Sequence, residues 1–164
     1  ITLSIALEGE TEAGNKMIMV DRSNGGKFNF LDQSYFNLKK GHTNTLGRKF
    51  TILYGPSSWV DFQVDELIAS IPTDYILGQN YPNPFNPVTS INYEIPTDQR
   101  VILSVYNILG QEVVSLVNKE QFAGKYTIRW DGTSNRLTTV SSGTYFYVLK
   151  TSNFKQVKKM LLLK

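Results

Sequence analysis

Val88-Thr89-Ser90-Ile91-Asn92-Tyr93-Glu94-Ile95, answered downstream by Gly124-Lys125-Tyr126-Thr127-Ile128-Arg129-Trp130, decides the fold. In the first stretch Ile91, Tyr93 and Ile95 fall on one side and Asn92 and Glu94 on the other. In the second, Tyr126, Ile128 and Trp130 alternate with Thr127 and Arg129. A period of two is the signature of a strand buried on one face. Pro96-Thr97-Asp98 breaks the first strand, and Asp131-Gly132 opens a turn after the second. Further strands are expected at residues 101–106, 112–117, 143–150 and 156–163, with a turn over residues 107–110. Six or seven short strands with regular turn signals predict a compact β-sandwich of immunoglobulin-like type.

Immediately upstream lies Gln79-Asn80-Tyr81-Pro82-Asn83-Pro84-Phe85-Asn86-Pro87, with three prolines in six positions. Proline lacks an amide donor, fixes φ and disfavours helix at the preceding residue, so the stretch must be extended or turned. Asn83 and Asn86 suit side-chain-capped turns. Tyr81 and Phe85 are expected to pin it against a core, since a plain linker needs neither.

The first half reads as strands at residues 2–7, 16–20, 35–38 and 49–54, separated by Gly9, Gly14, Asn24-Gly25-Gly26, Lys40-Gly41 and Gly47. Residues 65–74 are the one place for a short helix or an irregular crossing. The expected fold class is therefore all-β, with two small β-sandwich domains in tandem. Residues 1–70 form a β-sandwich module, possibly incomplete at its N-terminus and borrowing a strand from a neighbour. Residues 71–79 are a linker, and residues 80–164 form the immunoglobulin-like domain with about seven strands. Ile1-Thr2-Leu3-Ser4 lacks an initiator Met, a basic leader and a cleavage site, so a processed chain or a fragment is expected.

Hydrophobic residues are 41% of the 164 and charged residues 19%, an ordinary globular balance. No run of 18 apolar residues is present, so no membrane insertion is expected. Cysteine is absent, which excludes disulfides and thiolate chemistry. Residues 73–164 carry 10 Lys and Arg against 6 Asp and Glu, and the basic excess gathers in Lys150, Lys155, Lys158, Lys159 and Lys164. That cluster reads as a solvated strand end; it lacks the dense, aromatic-interleaved pattern of a nucleic-acid surface.

Catalytic signals are missing. His42 is the sole histidine and has no partner spacing for a metal or a base. Asp21, Asp131 and Glu8, Glu10 and Glu12 lack the spacing of known calcium loops. There is no Gly-x-Ser-x-Gly, no phosphate-cradling glycine loop and no assignable carboxylate pair. No cofactor, no metal and no enzyme activity are expected. Tyr54, Trp59 and Phe62 are a carbohydrate platform or, more simply, part of the first core.

Residues 77–96, opening Leu77-Gly78-Gln79-Asn80-Tyr81-Pro82, resemble the start of type A C-terminal sorting domains of the type IX secretion system (the Por secretion tail). Val105-Tyr106-Asn107-Ile108-Leu109-Gly110-Gln111-Glu112-Val113, Ala123-Gly124-Lys125-Tyr126 and Trp130-Asp131-Gly132 are similar to later family elements. So are Ser142-Gly143-Thr144-Tyr145 and Lys158-Lys159-Met160-Leu161-Leu162-Leu163-Lys164. The resemblance makes Asn80, Tyr81, Pro82, Asn83, Pro84, Phe85, Asn86, Pro87, Gly110, Gly124, Trp130, Asp131, Gly132, Gly143, Lys158, Lys159 and Leu161 the sorting-signal residues. Where the family has a second turn glycine, this chain has Asn135-Arg136-Leu137, and Asn135 is expected to take the left-handed conformation.

The resemblance implies export to the extracellular space or outer cell surface of a Gram-negative bacterium. The implied partners are the type IX translocon, its shuttle and a surface sortase. The terminal strand, residues 156–164, is the expected docking edge. Three functional readings follow: the non-catalytic C-terminal region of a secreted surface protein, a self-associating subunit of an extracellular fibre, sheath or surface layer, or the tail of a large secreted hydrolase or adhesin.

Overall fold

The computed structural model describes residues 13–22, 25–29 and 50–164, together with the backbone of Thr2–Ser4 and Tyr35–Asn37. His42, Glu8, Glu10, Glu12 and the turn residues Gly9, Asn24, Lys40, Gly41 and Gly47 lie outside the described residues. Among the described residues the chain is β-stranded but for one helix, and it divides into two compact units, Ile1–Ile71 and Pro72–Lys164.

In the first unit β1 (Thr2–Ser4), β2 (Asn15–Asp21), β3 (Lys27–Asn29), β4 (Tyr35–Asn37) and β5 (Phe50–Pro56) are followed by α1 (Ser57–Ala69). Strands β3, β2 and β5 form an antiparallel sheet in that order, and β1 pairs with β4. Val60 and Val64 of α1, one turn apart, pack on Ile18 and Val20 of β2 and on Leu53 of β5. Lys16 and Lys27 on the sheet pair with Asp61 and Asp65 on the helix at 2.7 and 3.1 Å. The helix starts eight residues before the crossing expected at residues 65–74. Pro56 stands at its N-cap with no side-chain cap, and its first turn holds no acidic residue, so the usual start signals are missing. Gly55 (φ +154°) is needed where β5 meets α1: a Cβ there would sit 3.3 Å from the Trp59 ring. Leu53 and Gly55 thus face the helix while Tyr54 points to the opposite side of the sheet from Trp59.

The second unit is a sandwich of seven strands: β6 (Ile76–Leu77), β7 (Thr89–Ile95), β8 (Gln99–Tyr106), β9 (Glu112–Gln121), β10 (Gly124–Trp130), β11 (Gly143–Lys150) and β12 (Lys155–Leu162). One sheet has the order β10-β7-β6 and the other β12-β11-β8-β9, with every pairing antiparallel. The alternation read from the sequence sets the inner faces. Ile91, Tyr93 and Ile95 from one sheet meet Val101, Leu103, Val105, Tyr147, Leu149, Met160 and Leu162 from the other, each 0% exposed. Their burial, about 1.5–3 kcal/mol for each large side chain, holds the two sheets together. Trp130 lies between Phe85 and Tyr145, with ring centroids at 5.6 and 5.5 Å, and its indole N–H donates to the Thr133 carbonyl.

Candidate recognition site

The proline-rich stretch does not hang between units; it is stitched into the second sandwich. Tyr81 exchanges two backbone hydrogen bonds with Ser90 on β7, both at 2.9 Å. Its neighbour Asn80, 2% exposed, donates its backbone N–H to the Tyr147 hydroxyl at 2.9 Å, and that hydroxyl donates to the Gly78 carbonyl at 2.8 Å. Asn80 Nδ2 donates to Thr89 Oγ1 and to the Pro82 carbonyl, and Thr89 Oγ1 donates to the same carbonyl. Proline has no N–H to pair, so side chains take over the polar bookkeeping of this turn. The Tyr81-Pro82 and Asn83-Pro84 bonds are both cis.

The same stretch covers the outer edge of β12. Gln79 Nε2 donates to the Lys159 carbonyl at 2.9 Å, and the Leu161 N–H donates to Asn83 Oδ1 at 3.0 Å. Phe85 then runs parallel to the strand end, its N–H donating to the Leu161 carbonyl and its carbonyl accepting from the Leu163 N–H. The expected free docking edge over residues 156–164 is therefore already occupied, from Lys159 to Leu163, by the chain itself. Upstream, Gln156 Oε1 accepts from the Leu77 N–H. A strand end flanked by prolines and amide side chains is an edge closed against casual pairing.

At the end of the sandwich where β12 stops, the predicted signal residues converge. Gly132 takes the left-handed conformation the turn requires (φ +75°) and lies beside the Leu162 side chain and the Pro87 carbonyl. Asp131 Oδ1 accepts from the Thr133 N–H and hydroxyl, which holds its carboxyl below the usual range. The Val140 N–H donates to Gly132, and Lys164 reaches back to Ser142 Oγ with its N–H and to the Val140 carbonyl with its ammonium. Gly110 closes the β8–β9 turn, where Asn107 Oδ1 accepts from the Leu109 and Gln111 N–H groups. Gly124 lies elsewhere, opposite Ile95 at the far end of β7.

Two expectations change on contact with this geometry. Phe85 is pinned at 2% exposed, but Tyr81 is 81% exposed and its ring leaves the core. In the 131–142 loop Leu137, not Asn135, takes the left-handed conformation (φ +58°). Asn135 is occupied along β9 instead, its N–H donating to the Val113 carbonyl and its Oδ1 accepting from the Ser115 N–H. The sequence reading also passed over Gln79, Thr89 and Tyr147. Tyr147 lies within the strand expected at residues 143–150, and burial raises its phenol pKa above the ordinary value.

Among the described residues no three His, Asp or Glu side chains converge as metal ligands. Asp21 belongs to the first unit and Asp131 to the second. Tyr54 faces away from Trp59, so the three-aromatic carbohydrate platform is not assembled. Among the described residues no helix is long and apolar enough to cross a membrane.

The fold and the stitched end define a small antiparallel β-sandwich whose terminal strand is closed by its own proline-rich stretch. Residues 80–163, just over half of the chain, match the type IX secretion signal domain family CHU_C, and the chain belongs to that family. Such a domain directs export through the type IX secretion system to the cell surface or extracellular space, and it acts as a signal region that engages the secretion machinery. Among solved structures the chain is similar to dimeric latent PorU from Porphyromonas gingivalis (22% identity, 55% of this chain, 9% of that one, TM-score 0.41). It is also similar to PorZ, an essential surface component of the type IX secretion system of the same organism (15% identity, 52% and 11%, TM-score 0.38). FlgD from P. aeruginosa matches at 21% identity over 56% of this chain and 66% of that one, with TM-score 0.37. The chain thus spans about a tenth of the length of PorU and PorZ. No curated protein shows a significant sequence match.

Proposed function

We propose that this chain is the non-catalytic C-terminal region of a secreted cell-surface protein, with residues 80–164 as an immunoglobulin-like sorting domain of type A. Residues 1–70 serve as an adaptor module and residues 71–79 as the connection. The family match over residues 80–163 carries this reading. The sheet orders β10-β7-β6 and β12-β11-β8-β9 support the immunoglobulin-like description, because the chain crosses between sheets after β7, β9 and β10 as in Greek-key sandwiches. The signal residues are those joined at the β12 end: Asn80, Asn83, Phe85, Trp130, Asp131, Gly132, Gly143 and Leu161, with Tyr81, Lys158 and Lys159 available to partners. The translocon and its shuttle read this surface, and a surface sortase acts after export.

Deleting Leu163 and Lys164 tests the role of the terminus, because it spares the core residues Met160 and Leu162. The shortened chain keeps its fold by circular dichroism and loses export from a type IX-competent bacterium. Undiminished export would remove the terminus from the signal. The fibre-subunit reading has one feature in its favour, the exposure of Trp59 and Phe62 on α1 at 47% and 59%. Light scattering of the purified chain separates it: polymers support a fibre subunit, monomers the cargo tail.

A further inference from the structure

The outer face of the β12-β11-β8-β9 sheet carries a charge pattern that its own fold does not use. Side chains there alternate with the core positions of each strand. Lys155 of β12 lies directly opposite Lys150 of β11. In the next outward row Val157, 50% exposed, stands opposite Val148, and Val148 opposite Ser104 of β8. Lys159 begins the row beyond. The face therefore reads cation, apolar strip, cation along β12.

Like charges directly opposed across a strand pair are destabilising. Among the described residues no carboxylate comes within ion-pair distance of Lys150, Lys155 or Lys159. Edge lysines commonly serve to block strand addition, but that account reaches neither Lys150 nor Lys159. Lys150 sits on an interior strand of the sheet. The edge of β12 beside Lys159 is already covered by Gln79, Asn83 and Phe85.

We infer that this face is a docking surface for an extended acidic segment of a secretion-machinery protein. The segment places an apolar side chain on the Val148–Val157 strip and carboxylates against the lysine rows on either side. Lys155 and Lys159 are four residues apart, so carboxylates at the same spacing of about 13 Å on an extended partner match them. Anionic lipid headgroups would satisfy the lysines but leave the apolar strip without a counterpart. The inference rests on the export reading above and adds the surface and the chemistry of the partner.

The test uses the full chain behind a general export leader in a type IX-competent bacterium, with a photo-crosslinking amino acid at Val157 or, as control, at Thr127 on the other sheet. Val157 is expected to crosslink to an envelope protein and Thr127 is not. Combining Lys150→Gln, Lys155→Gln and Lys159→Gln is expected to lower the Val157 yield about tenfold, as for loss of paired charges at an interface, with the unfolding temperature no lower than the parent's because the opposed Lys150 and Lys155 charges are relieved. Normal export with no Val157 crosslink, an unchanged yield in the triple variant, or a crosslink to lipopolysaccharide overturns the inference and leaves the export reading standing. Failure of the unsubstituted chain to be exported overturns both.

Discussion

Replacing Tyr147 with phenylalanine removes one oxygen from the centre of the second unit and nothing from its apolar core. That oxygen accepts from the Asn80 N–H at 2.9 Å and donates to the Gly78 carbonyl at 2.8 Å, so it alone ties residues 78–80 to β11. Asn80 is buried, and its orphaned N–H has no water to turn to; Gly78 is partly exposed and its carbonyl rehydrates. The stranded donor costs about 1–3 kcal/mol and the second bond about 1 kcal/mol, so Tyr147→Phe destabilises the unit by about 2–4 kcal/mol. Urea unfolding followed by Trp130 fluorescence reads this, with Trp59→Phe as the background to silence the first unit. Tyr106→Phe is the control, because its hydroxyl reaches only the exposed Glu112 at 3.4 Å, and it costs less than about 0.5 kcal/mol. Hydrogen exchange at the Asn80 amide should accelerate in the same variant. A Tyr147→Phe protein within about 0.5 kcal/mol of its parent, with Asn80 exchange unchanged, refutes the idea that this hydroxyl anchors the proline-rich stretch.

Phe85→Ala removes a ring packed on Trp130 and is expected to cost about 3–5 kcal/mol in the same urea assay; a loss under about 1 kcal/mol would mean the stretch is not anchored there. Leu137→Asn relieves a left-handed leucine that is 87% exposed, and should raise stability by about 0.5–1 kcal/mol. Any destabilisation by that change argues for a contact the leucine makes. Tyr93, fully buried beside Gln121, has its pKa pushed from 10.0 up to about 12, mainly by desolvation. Because the folded state holds this proton more tightly, its contribution is complete below about pH 10 and is lost as pH rises toward 12, on the order of 2 kcal/mol. Tyr93→Phe should flatten that alkaline slope, measured by urea midpoints between pH 9 and pH 12; an unchanged slope assigns the loss to other groups.

The strands of the second unit were legible because each is half-buried: Ile91, Tyr93 and Ile95 on β7, and Tyr126, Ile128 and Trp130 on β10, repeat every two residues. Their ends were less so, since β8 and β9 run on through Gln99 and Gln121, polar residues paired across the strand ends. Helix α1, expected only as a short helix or irregular crossing over residues 65–74, begins at Ser57, and its start was hidden for a physical reason. Its buried residues keep a helical spacing, but Trp59 and Phe62 lie off that stripe and blur the period, and the proline before Ser57 looks like a turn. The resemblance named the proposed signal residues as a set, but not the contacts they make. Asn83 meets Leu161 and Gln79 meets Lys159 across 78 and 80 residues of chain, and no local pattern encodes such a pairing. For the same reason Tyr81 was expected inside: a lone aromatic between prolines says nothing about which way it points until the Ser90 bridge turns it outward.

The central claim is that this chain carries a working type IX address. Residues 1–164 are fused to the C-terminus of a reporter bearing a general export leader, and the fusion is expressed in a type IX-competent bacterium and in an isogenic strain lacking the translocon. The reporter is expected outside the first strain and retained in the periplasm of the second. Retention in both, or appearance outside both, would contradict the account.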